Sequence, residues 1–214
     1  MSMDGYIDDA SDVRLVLSGR EDLDEIDELR AGSDAILVGA GTIRADNPRL
    51  LLRSHERRAA RIARGRPPDP ARIVLTASGD LDSSARIFTS AGAARIVYAA
   101  TPAVADLSNR LAERAEIVDA GEPPDLTAVL ADLAGRGIMR LMVEGGRSIH
   151  TSFLTNGLAD ELRLAIAPFF VGDSAAPRFV GDGRFPWRPG VPATLTEVRQ
   201  VGNVAVLTYQ LTPH

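Results

Sequence analysis

A chain of 214 residues with a net charge of −5 is long enough for one substantial hydrophobic core, or at most two small ones. Its summed field does not attract phosphodiester backbones, so no nucleic-acid partner is expected. The absence of cysteine removes disulfides, thiolate nucleophiles and sulfur-ligated metals, no metal is expected, and the absence of lysine leaves arginine as the source of fixed positive charge on a ligand.

Asp4, Asp8 and Asp9 stand where a signal peptide needs a basic start and an apolar run. No apolar stretch reaches membrane-spanning length, so a cytoplasmic protein without a membrane partner is expected. Periodicity then predicts a helix over residues 21–31, with Leu23, Ile26 and Leu29 on its inner stripe and Gly32 as its stop. Residues 35–38 are apolar on both faces and predict a strand in the middle of a sheet. The arginine-rich, then proline-rich stretch 54–71 predicts a short helix and a rigid connection, read as a solvated surface insertion.

Further strands are predicted at 73–75, 96–98, 117–118 and 139–143, the last of them buried. Thr101-Pro102 opens a helix with Val104, Leu107 and Leu111 inward, and Asp125 opens another that carries Leu126, Val129, Leu130 and Leu133 to a stop at Gly135 or Gly137. A helix starting near Gly146 turns Ile149 and Phe153 inward. Residues 161–167 and 195–211 alternate, the latter around a Gly202-Asn203 pair suited to a two-residue hairpin turn. The expected fold is α/β: a mostly parallel central sheet flanked by helices that gains an antiparallel C-terminal hairpin, as one domain over residues 1–214.

Four local features carry chemistry: Ser2-Met3-Asp4-Gly5, Gly39-Ala40-Gly41-Thr42 running on through Asp46-Asn47-Pro48-Arg49-Leu50, Glu144-Gly145-Gly146-Arg147-Ser148, and Gly157-Leu158-Ala159-Asp160-Glu161. Two of them follow predicted strands, at the sheet edge where open α/β folds bind ligands. Glycines after residue 38 let the backbone approach a ligand, and the Thr42 hydroxyl can bond a phosphate or sugar oxygen. Arg44 stands where a dinucleotide fingerprint needs its third glycine, so that loop is disfavoured and a plain strand-to-helix turn stays open. Bare amides at a helix start, exposed by Gly145 and Gly146 and flanked by Arg147 and Ser148, form an anion site. Glu144 needs a ligand's donors or a neighbouring arginine, unless it is a structural glutamate that caps the turn.

In order along the chain, Ser-x-Asp-Gly from Ser2, Leu29-Arg30-Ala31 to Asp34-Ala35, Gly39-x-Gly-Thr-x-x-x-Asp-Asn-Pro-x-Leu-x-x-Arg ending at Arg53, Glu144-Gly145-Gly146 and Gly157-Leu-x-Asp-Glu161 resemble the reductase domain of the bifunctional riboflavin-biosynthesis deaminase-reductase and its stand-alone relatives, which share a dihydrofolate-reductase-like fold. The central motif is highly specific, whereas Ser-x-Asp-Gly or Glu-Gly-Gly alone is weak. The resemblance implies NADPH-dependent reduction of a phosphorylated ribosylamino-pyrimidine by hydride transfer to C1′, turning ribosyl into ribityl, by a homodimer. It implies cofactor contacts from Thr42, Asp46, Thr76, Gly145, Gly146, Arg147 and Ser148, substrate contacts from Ser2, Leu50, Arg53 and Glu144, and catalytic roles for Asp4, Tyr6 and Glu144.

Two features depart from the family. Tyr6 occupies a position commonly basic in the bifunctional enzymes, where it could donate a proton or simply pack. The family also has a strand ahead of the Ser-x-Asp-Gly turn, so either the start is late or a sheet strand is missing, which would expose apolar neighbours. A zinc-deaminase site needs two cysteines and a His-x-Glu, so these residues supply only the reduction half. His55, His150 and His214 are expected to be non-catalytic, with only His150 near the cofactor. The rivals are a same-fold reductase for dihydrofolate or a specialised pyrimidine metabolite, and a catalytically silent nucleotide-binding module.

Overall fold

The computed structural model describes residues 1–11, 15–17 and 19–211; His214 lies outside them. In chain order the elements are α1 (Arg20–Gly32), β1 (Ala35–Gly39), α2 (Ala40–Asp46), α3 (His55–Ala63), β2 (Ala71–Thr76), α4 (Arg86–Thr89), β3 (Arg95–Ala99), a 3-10 turn (Thr101–Ala103), α5 (Val104–Leu111), β4 (Glu116–Asp119), α6 (Leu126–Gly135), β5 (Leu141–Gly145), α7 (Arg147–Thr155), β6 (Glu161–Ile166), β7 (Thr194–Val201) and β8 (Val204–Gln210). They form two compact units, Asp27–Gly145 and the discontinuous Met1–Ile26 with Gly146–His214.

The Asp27–Gly145 unit holds a five-stranded sheet of order β4-β3-β2-β1-β5, every pair parallel. All five residues of β1 are buried, as its two-faced apolar sequence predicts. Ile36, Val38, Val74 and Val97 from the strands pack with Ile43, Leu50, Ile87, Phe88, Leu107 and Leu111, each such side chain contributing roughly 1.5–3 kcal/mol of burial. Asp125 caps α6 by accepting from Thr127 N–H and Ala128 N–H, as its position predicts.

Three expectations need correction. Stretch 54–71 is no solvated insertion: α3 turns Arg61 fully inward and half-buries Arg57 and Arg58, while Ala59, Ala60, Ile62 and Ala63 face solvent. The Arg61 guanidinium donates to the carbonyls of Ala31, Ser33 and Pro67, which satisfies its buried donors and lets a charged face go inside. Residues 139–143 are not a buried strand either. β5 begins at Leu141, lies at the sheet edge and is only half-buried until Gly145. Met139, 81 % exposed, is held outside the ladder because its N–H and that of Arg140 donate to the Asp34 carboxylate.

The expected α/β class, with a parallel sheet and an antiparallel C-terminal hairpin, is borne out, and the third correction is only that the antiparallel strands do not extend the parallel sheet. β6, β8 and β7 form their own three-stranded sheet in the other unit, β8 central, with Val204 to Val201 closing the hairpin around Gly202-Asn203. Helix α1 is present, but its fully buried positions are Asp22 and Asp27; Leu23, Ile26 and Leu29 are half-buried. Asp22 goes inside because Arg163 of β6 reaches it at 3.1 Å. The Met1 ammonium donates to the Ala165 carbonyl and Met1 O accepts from Ala167 N–H, which sets Met1 parallel to the outer edge of β6.

Candidate active site

The parallel ladder brings the C-terminal ends of β1, β2 and β5 side by side, with Gly39 opposite Leu75 and Val38 opposite Gly145. Thr76 and Glu144 are therefore carried to the C-terminal end of the sheet, beside the start of α2. Thr42 lies in the first turn of α2 and Asp46 ends that helix, whose Asn47 cap takes the left-handed region. The Thr76 hydroxyl oxygen accepts from Gly79 N–H and is buried, so it shapes the turn after β2.

At β5 the register jumps: Leu37 pairs with Val143 and Val38 with Gly145, which leaves Glu144 as the extra residue of a bulge. A bulge re-aims the side chain it frees. Both Glu144 oxygens are taken by Arg30 in a fork, Nε to Oε1 and Nη2 to Oε2 each at 2.6 Å. Burial works to lower the Arg30 pKa, but the Glu144 hydrogen bonds and charge outweigh it and raise it. The neighbouring arginine that a buried Glu144 requires is thus Arg30, 114 residues away. Its sequence signal was its place in Leu29-Arg30-Ala31, with no hint of its partner.

Leu50 is buried among core residues and adopts φ +52, so what it can offer a ligand is backbone. Arg53 is exposed, and its backbone N–H donates to Asp27, which leaves the guanidinium to reach outward.

In the Met1–Ile26 with Gly146–His214 unit, residues 2–6 close on themselves. Ser2 N–H donates to Tyr6 O, Gly5 N–H to Ser2 O and Tyr6 N–H to the Ser2 hydroxyl oxygen; Gly5, at φ +87, supplies the left-handed step. The Ser2 hydroxyl donates to Asp4 Oδ1 at 2.6 Å, and Asp4 also accepts from Val171 N–H and Gly172 N–H. These bonds, Ser2 first, pull the Asp4 pKa down to about 2. Tyr6 is buried under Arg178, whose guanidinium carbon stands 5.0 Å from the ring centre and whose Nη2 donates to the phenol oxygen at 3.3 Å. Arg178 lies in an irregular segment where periodicity gives no signal.

Helix α7 is preceded by Gly146, which contributes no side-chain cap. Its first-turn amides are thus left for a ligand, with the side chains of Arg147 and Ser148 exposed beside them. That donor set fits the phosphates of a dinucleotide. His150, one turn on, is half-buried against Phe179, with ring centres 4.8 Å apart and Nδ1 3.2 Å from Phe179 O, and burial lowers its pKa. His55 is exposed at the start of α3. No cluster of three or more His, Cys, Asp or Glu placed to hold a metal occurs among the described residues.

The family model described as RibD C-terminal domain matches residues 1–207. The chain belongs to this family. It is similar to the 2,5-diamino-6-ribosylamino-4(3H)-pyrimidinone 5′-phosphate reductase of Archaeoglobus fulgidus, 38% identical over 177 residues that cover 82% of this chain and 80% of that one. The protein of the same name from Methanothermobacter thermautotrophicus is 37% identical, covering 86% and 82%. Among solved structures, a pyrimidine reductase-like protein from Corynebacterium diphtheriae superposes with a TM-score of 0.86 at 24% identity, covering 100% of this chain and 89% of that one, which shows the shared fold.

Within the RibD C-terminal domain fold, the residues expected at the site divide between the two units. Thr42, Asp46, Leu50, Arg53, Thr76, Glu144 and Gly145 belong to Asp27–Gly145; Ser2, Asp4, Tyr6, Gly146, Arg147 and Ser148 belong to the other. Sequence reasoning missed Arg30 and Arg178.

Proposed function

We propose that the protein is an NADPH-dependent reductase that turns the ribosyl group of a 5′-phosphorylated ribosylamino-pyrimidinone into ribityl. The observation that carries the reading is the identity of 38% and 37% to two proteins named 2,5-diamino-6-ribosylamino-4(3H)-pyrimidinone 5′-phosphate reductase, across about four fifths of each chain. Residues 1–214 act as a single reductase domain in this reading.

When bound, NADPH supplies a hydride to C1′ of the ring-opened sugar. Gly145, Gly146, Arg147 and Ser148 would hold the cofactor's phosphates at the α7 start, and Thr42, Asp46 and Thr76 would offer it further polar contacts. The Arg53 guanidinium, unpaired by any carboxylate among the described residues, takes the substrate phosphate as a bidentate donor. Glu144, fixed by Arg30, accepts from substrate donors on the oxygen lone pairs the fork leaves, and Ser2 and the Leu50 backbone complete the substrate contacts. A proton must also be delivered. Asp4 carries none at neutral pH and instead braces the 2–6 turn, whereas the Tyr6 oxygen accepts from Arg178 and its hydroxyl donates to no group among the described residues. Tyr6 is therefore assigned as the proton donor.

No described helix is long and apolar enough to cross a membrane, and a cytoplasmic location is proposed with the rest. A homodimer is supported by the exposed Val191, Leu195 and Val198 on and beside β7, an apolar strip that a second copy would cover. The division of the site is tested by Arg53→Ala, which raises the pyrimidine KM sharply and leaves NADPH affinity nearly intact. An equal loss of both would sink it.

A further inference from the structure

Leu50 and Arg53, both assigned to the substrate, bound a segment that opens on a backbone conformation L residues rarely adopt. Leu50 holds φ +52 while its side chain is buried in the core, and a bulky residue keeps such a backbone only where its surroundings enforce it. Two buried carboxylates grip the chain directly after it. Asp69, fully buried, accepts Leu52 N–H at 2.9 Å. Asp27, 2 % exposed, accepts Arg53 N–H at 2.7 Å and Ser54 N–H at 3.2 Å. On the near side the buried Arg72 reaches the Arg49 carbonyl at 3.4 Å, after binding the carbonyls of Ile87, Ser90 and Ala93.

Neither carboxylate could be buried alone. Each is balanced by an arginine on the inward face of α3: Arg57 Nη1 stands 3.1 Å from Asp27 Oδ2, and Arg58 Nη2 bonds Asp69 Oδ2. Helix α3 is itself fixed at its start by the Ser54 cap on Arg57 N–H and deeper in by Arg61. This explains why its buried face is arginine and its solvent face alanine and isoleucine: the helix is built to neutralise two carboxylates that hold a neighbouring segment.

We propose that Asp27 and Asp69, neutralised by Arg57 and Arg58 of α3, are positioning residues that clamp residues 50–53 in the strained turn that presents Arg53 to the substrate phosphate. The inference rests on the substrate reading of Arg53 above. Neither carboxylate touches substrate or cofactor; both act through the backbone amides of 52, 53 and 54.

The test measures substrate KM, kcat, NADPH Kd and amide hydrogen exchange at residues 52–54 in Asp27→Ala, Asp27→Asn and Asp69→Asn, beside Arg53→Ala. Losing an ionic acceptor for two amides is expected to raise the substrate KM roughly ten- to hundredfold. NADPH Kd stays within about twofold and kcat changes less than KM, while the Arg53 and Ser54 amides exchange faster. Asp27→Asn keeps one carbonyl acceptor and falls between Asp27→Ala and wild type, which a merely global loss of stability would not produce; it is also the readout if Asp27→Ala fails to fold. The proposal is overturned if those amides stay as protected as in wild type. It is equally overturned if exchange rises throughout Asp27–Gly145 while KM and NADPH Kd worsen together. Should Arg53→Ala leave KM unchanged, the substrate reading fails, and amide exchange in the Asp27 variants still decides whether the clamp exists.

Discussion

Removing Arg30 should be among the more damaging single changes in the Asp27–Gly145 unit. Its side chain and that of Glu144 are each 16% exposed and meet in a two-bond fork. Deleting one partner of a fully buried pair costs about 3–5 kcal/mol because the other charge is stranded; the residual exposure reduces this to roughly 2–3 kcal/mol. For a chain of this size that is a fall in Tm of roughly 4–12 °C. Arg30→Met keeps the aliphatic stem and isolates the charge. Glu144→Gln in the same background removes the stranded carboxylate, so the double variant should lose less than the sum of the singles, with a coupling of roughly 1.5–3 kcal/mol in urea unfolding. A coupling below about 0.5 kcal/mol would mean that solvent, and not Arg30, satisfies Glu144.

Three further outcomes follow from the geometry. Asp4 is depressed to about 2, chiefly by the Ser2 hydroxyl; its stabilising contribution is complete above the ordinary carboxylate range and is lost as pH falls through about 2. A carboxyl NMR titration should find that low midpoint in wild type and a clear rise in Ser2→Ala, and an unmoved midpoint refutes the assignment of cause. Gly79 sits at φ +70 with its missing Cβ only 2.8 Å from Ala103 Cβ, so Gly79→Ala should destabilise by about 1–3 kcal/mol; a loss under about 0.5 kcal/mol contradicts it. Tyr6→Phe should lower kcat much more than it changes the substrate KM, and an unchanged kcat would return Tyr6 to a packing role.

Much of the fold could be read from pattern, because β1, α5, α6 and α7 bury aliphatic residues at their expected spacings. Pattern failed where burial is ionic. In α3 the inward residues are arginines and the outward ones alanine and isoleucine, so apolar periodicity selects the wrong face. In α1 the same holds for Asp22 and Asp27, and at β5 an apolar Met139 was drawn into a strand that starts two residues later. For the candidate site, Glu144's need for donors follows from desolvation alone. The partners were illegible because they are distant in sequence: Arg30 for Glu144, Val171 and Gly172 for Asp4, Arg178 for Tyr6.

The central claim is tested most directly by following NADPH oxidation with the purified protein on the 2,5-diamino-6-ribosylamino-pyrimidinone 5′-phosphate, its deaminated counterpart and dihydrofolate. The account predicts oxidation with a ribosylamino-pyrimidine phosphate, formation of the ribityl product and no comparable rate with dihydrofolate. Tight NADPH binding without reduction of either pyrimidine, or faster turnover of dihydrofolate, would contradict it.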